Sequence, residues 1–180
     1  MKYILLLLGS LFFIACTQDA SSETINGEGY FSSDELIDNL SEYFGESQIV
    51  EKTLKVNDKS STEFKENYSI SSDLTRLIKP YDLSGPSNAD KFKKSTSTTS
   101  GLRVVNYTAL DSLHDIRSVV ISYRGNKIES FRGERASDSF ITDDSEILEI
   151  EMGESYLLQS RRKSKGKEAS TMSLEVSVRK

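Results

Sequence analysis

From Leu102 to Lys180, apolar and polar residues alternate in short segments broken at regular spacing by glycine-containing turns, and no other feature constrains the fold so tightly. The segments read as strands over 102–110, 116–124, 127–134, 146–152, 155–163 and 168–179. Giving each turn two residues fixes a register that can be tested for self-consistency. A turn at Gly125-Asn126 sets Tyr123 opposite Ile128 and Arg117 opposite Glu134. Gly153-Glu154 sets Ile150 opposite Leu157, Glu146 opposite Arg161 and Asp144 opposite Lys163. Lys165-Gly166 sets Lys163 opposite Glu168, Leu157 opposite Leu174 and Gln159 opposite Met172. One face then gathers Leu148, Ile150, Met152, Leu157, Met172, Leu174, Val176 and Val178, while opposite charges meet at the strand ends. A slip of one residue would scatter this set over both faces.

An apolar sheet face needs a cover, and the preceding segment supplies it. Ser32 can cap a helix, Glu35 completes a capping box, and Phe31 and Leu36 can form a hydrophobic staple. Leu36, Ile37, Leu40, Tyr43 and Phe44 fall on one helical stripe, and Gly45 ends it. The opposite side carries Asp34, Glu35, Asp38 and Glu42, which anionic lipid would repel, so the stripe reads as a core face. Residues 48–57 turn at Asn57-Asp58 and return through Phe64, Tyr68 and Ile70 as a hairpin. A short helix follows from Asp73 to Lys79, with Leu74, Leu77 and Ile78 inward, and Pro80 closes it. Residues 81–100, ending in a lysine- and threonine-rich run, read as a long loop. The expected fold is α+β: an antiparallel meander of six to eight strands packed on one long and one short N-terminal helix, forming one domain over 31–180.

The first fifteen residues are of another kind. Ile4 to Ala15 is an apolar run of about twelve residues after a lysine; a spanning helix needs about 20, so the run has the length of a signal-peptide core. It closes on Phe13-Ile14-Ala15-Cys16, with the single cysteine of the chain last. That ending resembles the lipobox of bacterial lipoproteins, with Phe13 where the family usually has leucine. The resemblance implies that residues 1–15 are a signal peptide, that the Cys16 thiol takes a diacylglycerol, and that its freed amine is often acylated too, commonly with palmitate. Several acyl chains make release from a bilayer negligible. Thr17-Gln18-Asp19 lacks an aspartate directly after the cysteine and resembles a short export tag of Bacteroidota surface lipoproteins, which implies the outer membrane. Residues 16–30 then form a lipidated cysteine and a polar tether.

With the signal removed, the net charge moves from −5 to −6 because Lys2 is lost. An acidic chain with one cysteine is neither a basic nucleic-acid binder nor a disulfide scaffold, so no nucleic-acid partner is expected. Asp111-Ser112-Leu113-His114-Asp115 contains serine, histidine and aspartate, but neighbours on one loop do not converge as a triad must. Its first three residues resemble a sugar-attachment motif of Bacteroidota periplasmic proteins. Asp138, Asp143, Asp144 and Glu146 crowd one loop without the spacing or glycine of a calcium-binding EF-hand, and read as an ion-pair ladder. One histidine and one lipidated cysteine cannot make a zinc site. Gly27 and Gly29 lie in the tether with no strand before them, and Glu149 and Glu151 flank no evident cleft. No catalytic, cofactor or metal-ligating set is expected, and no enzymatic activity.

Arg161, Arg162, Lys163, Lys165 and Lys167 form a basic hairpin end that could meet lipid phosphates or an acidic partner. The expected role is a non-catalytic binding or envelope-assembly module, membrane-anchored through Cys16, with an envelope protein or an apolar ligand as partner. The alternative is a carrier of lipid, because a helix in a curved antiparallel sheet is similar to the architecture of the lipoprotein carriers of the bacterial envelope. A carrier requires a cavity lined by residues such as Leu36, Leu40, Ile150 and Leu174.

Overall fold

The computed structural model describes residues 29–88 and 90–179; the expected signal peptide, Cys16 and the expected tether up to residue 28 lie outside the described residues. The chain runs α1 (Ser33–Phe44), β1 (Gln48–Val56), β2 (Lys59–Tyr68), α2 (Ile70–Ile78), then β3 (Phe92–Thr99), β4 (Leu102–Ala109), β5 (Ile116–Arg124), β6 (Lys127–Asp138), β7 (Thr142–Glu151), β8 (Ser155–Ser164) and β9 (Ser170–Val178). Single 3-10 turns at Lys79–Tyr81 and Pro86–Asn88 link α2 to β3. Among the described residues the nine strands form one antiparallel sheet in the order β2-β1-β9-β8-β7-β6-β5-β4-β3. The last seven strands are a pure meander, and the first hairpin docks against the final strand. Among the described residues no helix is long and apolar enough to cross a membrane. The fold is α+β, as the periodicity indicates, with more strands than expected.

Both helices cover one face of the sheet. Leu36, Leu40 and Phe44 of α1 and Ile70, Leu74 and Ile78 of α2 join Val50, Val119, Ile121, Phe131, Leu148, Ile150, Tyr156 and Val176 in one buried cluster. Each such side chain contributes about 1.5–3 kcal/mol on leaving water. Helix α2 begins earlier than Asp73, because Ser69 caps it by accepting from the Ser72 amide, so Ile70 is a buried helical residue and not the end of a strand.

The start of α1 differs from a capping box. Ser32 occupies the cap position with extended backbone but makes no side-chain cap bond. The Ser33 amide and hydroxyl instead donate to Asp82 Oδ2, both at 2.7 Å, while Ser84 donates to Oδ1 from its amide and hydroxyl. An acidic group at a helix N-terminus also meets the positive end of the helix dipole. Burial alone would raise the Asp82 pKa, but these bonds outweigh it and hold the carboxyl below its ordinary value. Asp73 is likewise lowered: burial opposes ionisation, and hydrogen bonds from Tyr68, Arg76 and Tyr156 overcome it.

Residues 81–100 are not a structureless loop. Phe92–Thr99 is an edge strand paired with β4 through the two-residue turn Ser100-Gly101, both residues at positive φ. Its polar Lys-Lys-Ser-Thr composition is that of an edge protected from further pairing, and polar β2 closes the other edge in the same way.

Register differs by one residue in three hairpins. Tyr123 pairs with Ile128 as expected, but bulges then set Ser118, not Arg117, opposite Glu134. The β7–β8 connection is three residues, Met152 to Glu154, with Gly153 at φ 75°, so Ile150 pairs with Tyr156 rather than Leu157. The β8–β9 connection departs separately: Leu158 pairs with Leu174 and Ser160 with Met172, displacing the expected Leu157–Leu174 and Gln159–Met172 pairs. Tyr156 and Leu158 are buried, and Leu157 faces away from the helices beside Glu149.

Two outcomes test this packing. A Cβ on Gly133 would come within 2.4 Å of the Tyr81 ring, so Gly133→Ala should destabilise by about 1–3 kcal/mol in urea unfolding. Asp73 and Asp82 have lowered folded-state values, so their stabilisation is present above the unfolded carboxylate pKa of about 3.9 and is lost as pH falls through the folded value. Asp82→Asn should therefore flatten the acid limb of a stability–pH curve, and an unchanged limb would contradict the cap.

Candidate functional site

The helix-covered face of the sheet changes character along its strands. On β7 the inward series runs Ile150, Leu148, Glu146, Asp144; on β6, Phe131, Gly133, Arg135, Ser137; on β8, Tyr156, Leu158, Ser160, Arg162. The apolar members lie under the helices. The polar members line an open cleft of about 540 Å³ with Asp115, Arg161, Ser170 and Met172.

Tyr81 forms the boundary. Its ring is fully buried, lies against Gly133 and meets Phe131 edge-on at 5.8 Å between centroids. Its hydroxyl donates to Glu146 Oε1 at 3.2 Å, and the Arg135 guanidinium stands 3.9 Å from the same oxygen and 5.9 Å from the ring centroid. Burial pushes the Tyr81 hydroxyl pKa far up, the neighbouring Glu146 charge adds to this, and the group remains a donor. Arg135 Nε is buried and has no acceptor among the described residues. Arg117, at the β5 bulge next to Ile116, the register partner of Arg135, lies 3.6 Å from Asp138 Oδ2 and also keeps a buried Nη1 without an acceptor. A buried donor left unmatched costs about 1–3 kcal/mol.

Strand alternation divides the basic hairpin end. Arg162 points into the cleft and grips Asp144 with two bonds of 2.8 and 3.1 Å. Arg161 and Lys163 are exposed on neighbouring strand positions of opposite phase to Arg162. Lys165 sits over the Phe140 ring at 4.2 Å, and Lys167 is exposed in the turn to β9. The expected pairs Asp144–Lys163 and Glu146–Arg161 are replaced. Asp144 faces Arg162 and Glu146 faces Ser160, because the three-residue turn moves β8 by one position. Asp138 and Asp143 face each other at the β6–β7 hairpin end, and among the described residues no group of acids, histidine or cysteine could hold a metal ion.

His114 serves the local structure. Its Nε2 is 3.1 Å from Asn88 Oδ1, its Nδ1 is 3.2 Å from both the amide and the carbonyl oxygen of Ile116, and its ring packs edge-on against Phe92. The loop is thereby pinned to the Pro86–Asn88 turn, beside a second hollow of about 340 Å³ lined by Asp90, Lys91, Leu110, Asp111 and Leu113. Ser112 is exposed. Glu149 is tied to Arg132 on the opposite face of the sheet, away from the cleft.

Sequence reading picked out Glu146, Asp144, Arg161 and Arg162 but missed Tyr81 and Arg135. The usable signal was Gly133, a glycine inside a strand, which marks a close approach by another group.

The chain matches no protein-family profile, no curated protein and no solved structure.

Tyr81→Phe removes one partly buried bond and should cost about 1 kcal/mol in chemical denaturation. In an alkaline absorbance titration, Tyr107, pushed by burial up to about 12, and the still higher Tyr81 and Tyr156 should ionise only as the protein unfolds.

Proposed function

We propose that the protein is an outer-membrane lipoprotein held by acyl chains on Cys16, and that its folded part is a non-catalytic binding module whose ligand site is the charged cleft. The lining of the cleft carries this reading: Arg135, whose Nε has no acceptor among the described residues, borders it. Arg161 on the rim adds a cation with no ion pair among the described residues, and Ser137, Ser160 and Ser170 add hydroxyls. The ligand that suits this lining is small, polar and carries a carboxylate or phosphate. About 540 Å³ falls within the range of small-molecule sites. The non-catalytic part of the reading is supported by His114, whose two ring nitrogens are engaged by Asn88 and Ile116.

The carrier alternative calls for a void lined by Leu36, Leu40, Ile150 and Leu174. The first three are at most 1% exposed, so no water-sized space touches them, and the packing favours the cleft over an internal cavity.

The test is a thermal-shift titration of the protein with glucuronate and with inorganic phosphate. One of the two should raise the unfolding temperature of the wild type, and Arg161→Ala and Arg135→Ala should each remove most of that rise. Equal shifts in wild type and both variants would place the anion elsewhere, and no shift with either probe would count against an anion site.

A further inference from the structure

The four most exposed large apolar side chains among the described residues all lie at one end of the sheet. They are Phe140 (85% exposed), Leu113 (83%), Ile141 (67%) and Leu110 (66%). Leu110 and Leu113 belong to the β4–β5 connection, and Phe140 and Ile141 to the tip of the β6–β7 hairpin. In a consecutive antiparallel meander these two connections share an end, about 10 Å apart across two strand spacings. The β8–β9 turn, with Lys165 and Lys167, comes next in the row.

Part of the backbone at the hairpin tip is satisfied within the protein. The Ser139 amide donates to the Thr142 carbonyl, Ser139 Oγ accepts from the amides of Ile141 and Thr142, and the Lys165 amide donates to the Ile141 carbonyl at 2.9 Å. These groups are satisfied within the protein, so the two bare side chains can enter an apolar phase without stranding them. Lys165 Nζ over the Phe140 ring is an aromatic–cation pair of the kind suited to a headgroup layer, where the ring goes inward and the ammonium stays at the phosphates.

The point of entry of the chain selects the occupant. Gly29 is held by its carbonyl, 3.4 Å from Tyr107 Oη and from Lys94 Nζ, and the Tyr30 hydroxyl accepts from the Asp90 amide. Lys94 and Tyr107 are paired two residues from the end of β3 and β4 that carries Leu110. Residues 17–28, leading back to Cys16, therefore reach the folded part near the end that bears the apolar loops. Twelve residues span at most about 40 Å, so a lipid on Cys16 holds the entry point of the chain within that distance of the bilayer.

We infer that the β4–β5 and β6–β7 connections insert Leu113, Phe140 and Ile141 into the bilayer that carries the anchor, with Lys165 at the headgroups. This inference rests on the anchoring of Cys16 and adds an orientation to it: the strands stand on the membrane and the cleft opens near its surface.

The chain contains no tryptophan, so one placed at a chosen site is a clean depth reporter. The mature lipidated protein carrying Phe140→Trp is reconstituted in phosphatidylethanolamine–phosphatidylglycerol vesicles with brominated acyl chains. Phe64→Trp, on an edge strand away from these loops, is the control. The expected result is a blue-shifted emission at position 140 quenched several-fold more than at position 64. Adding Ile141→Asp and Leu113→Asp to the position-140 reporter should abolish that difference while the protein still sediments with the vesicles. Both substitutions are at exposed positions, so folding is preserved. Equal or absent quenching at the two positions in vesicle-bound protein overturns the insertion and leaves the anchor standing. A protein that fails to sediment overturns the anchor instead. The loops are then read with excess vesicles added to the free protein, and quenching at position 140 alone sustains the insertion while its absence overturns it.

Discussion

Tyr81 lying flat against Gly133 is the contact on which the rest of the architecture depends. The three residues Tyr81-Asp82-Leu83 follow α2 and tie together parts of the chain far apart in sequence. Tyr81 seals the sheet face and donates to Glu146, Asp82 caps α1, and the Leu83 amide binds the Phe31 carbonyl. Asn88 extends the seam, donating to the Asp82 carbonyl and contacting His114 in the β4–β5 connection. A larger residue at 133 would push the ring out and loosen the cap, the helix and the floor of the cleft together.

That seam gives one sheet face two chemistries. On one side of Tyr81 the inward positions of β6, β7 and β8 are apolar and covered by helices; on the other they are arginine, carboxylate and serine and lie open. The sheet can carry both because inward positions recur at every second residue, whatever the chemistry of each. The charged half cannot be packed by a helix without desolvating its guanidinium and carboxylate groups, so it stays open to solvent. The exposed apolar loops lie at the same end of the strands as this cleft, so the binding and membrane-facing features proposed here share one end of the molecule.

Much of the architecture was legible in the chain. The stripe from Leu36 to Phe44 sits in the core as read, Gly45 ends the helix at φ 68°, and the meander from Leu102 onward is present strand for strand. The departures have separate causes. A glycine announces a turn but not its length, and the third residue in the β7–β8 connection moved every pairing of β8 with β7 by one. That step put Tyr156 and Leu158 in the core in place of Leu157 and brought Arg162 rather than Lys163 to Asp144. The edge strand at Phe92–Thr99 was hidden because an edge has little apolar surface to bury and reads as loop.

The sequence by itself determined the class of fold and the helix-covering face, because periodicity and turn residues act over a few positions and need no distant partner. Only the tertiary structure decided where Asp82 and Arg135 act and which loops share an end. Asp82 reaches a helix 49 positions away, and Arg135 meets Tyr81 only because the meander folds β6 beneath the turn after α2. A cap or a cleft made by residues so far apart leaves no periodic trace, and its partners are set by register and packing, which no local pattern encodes.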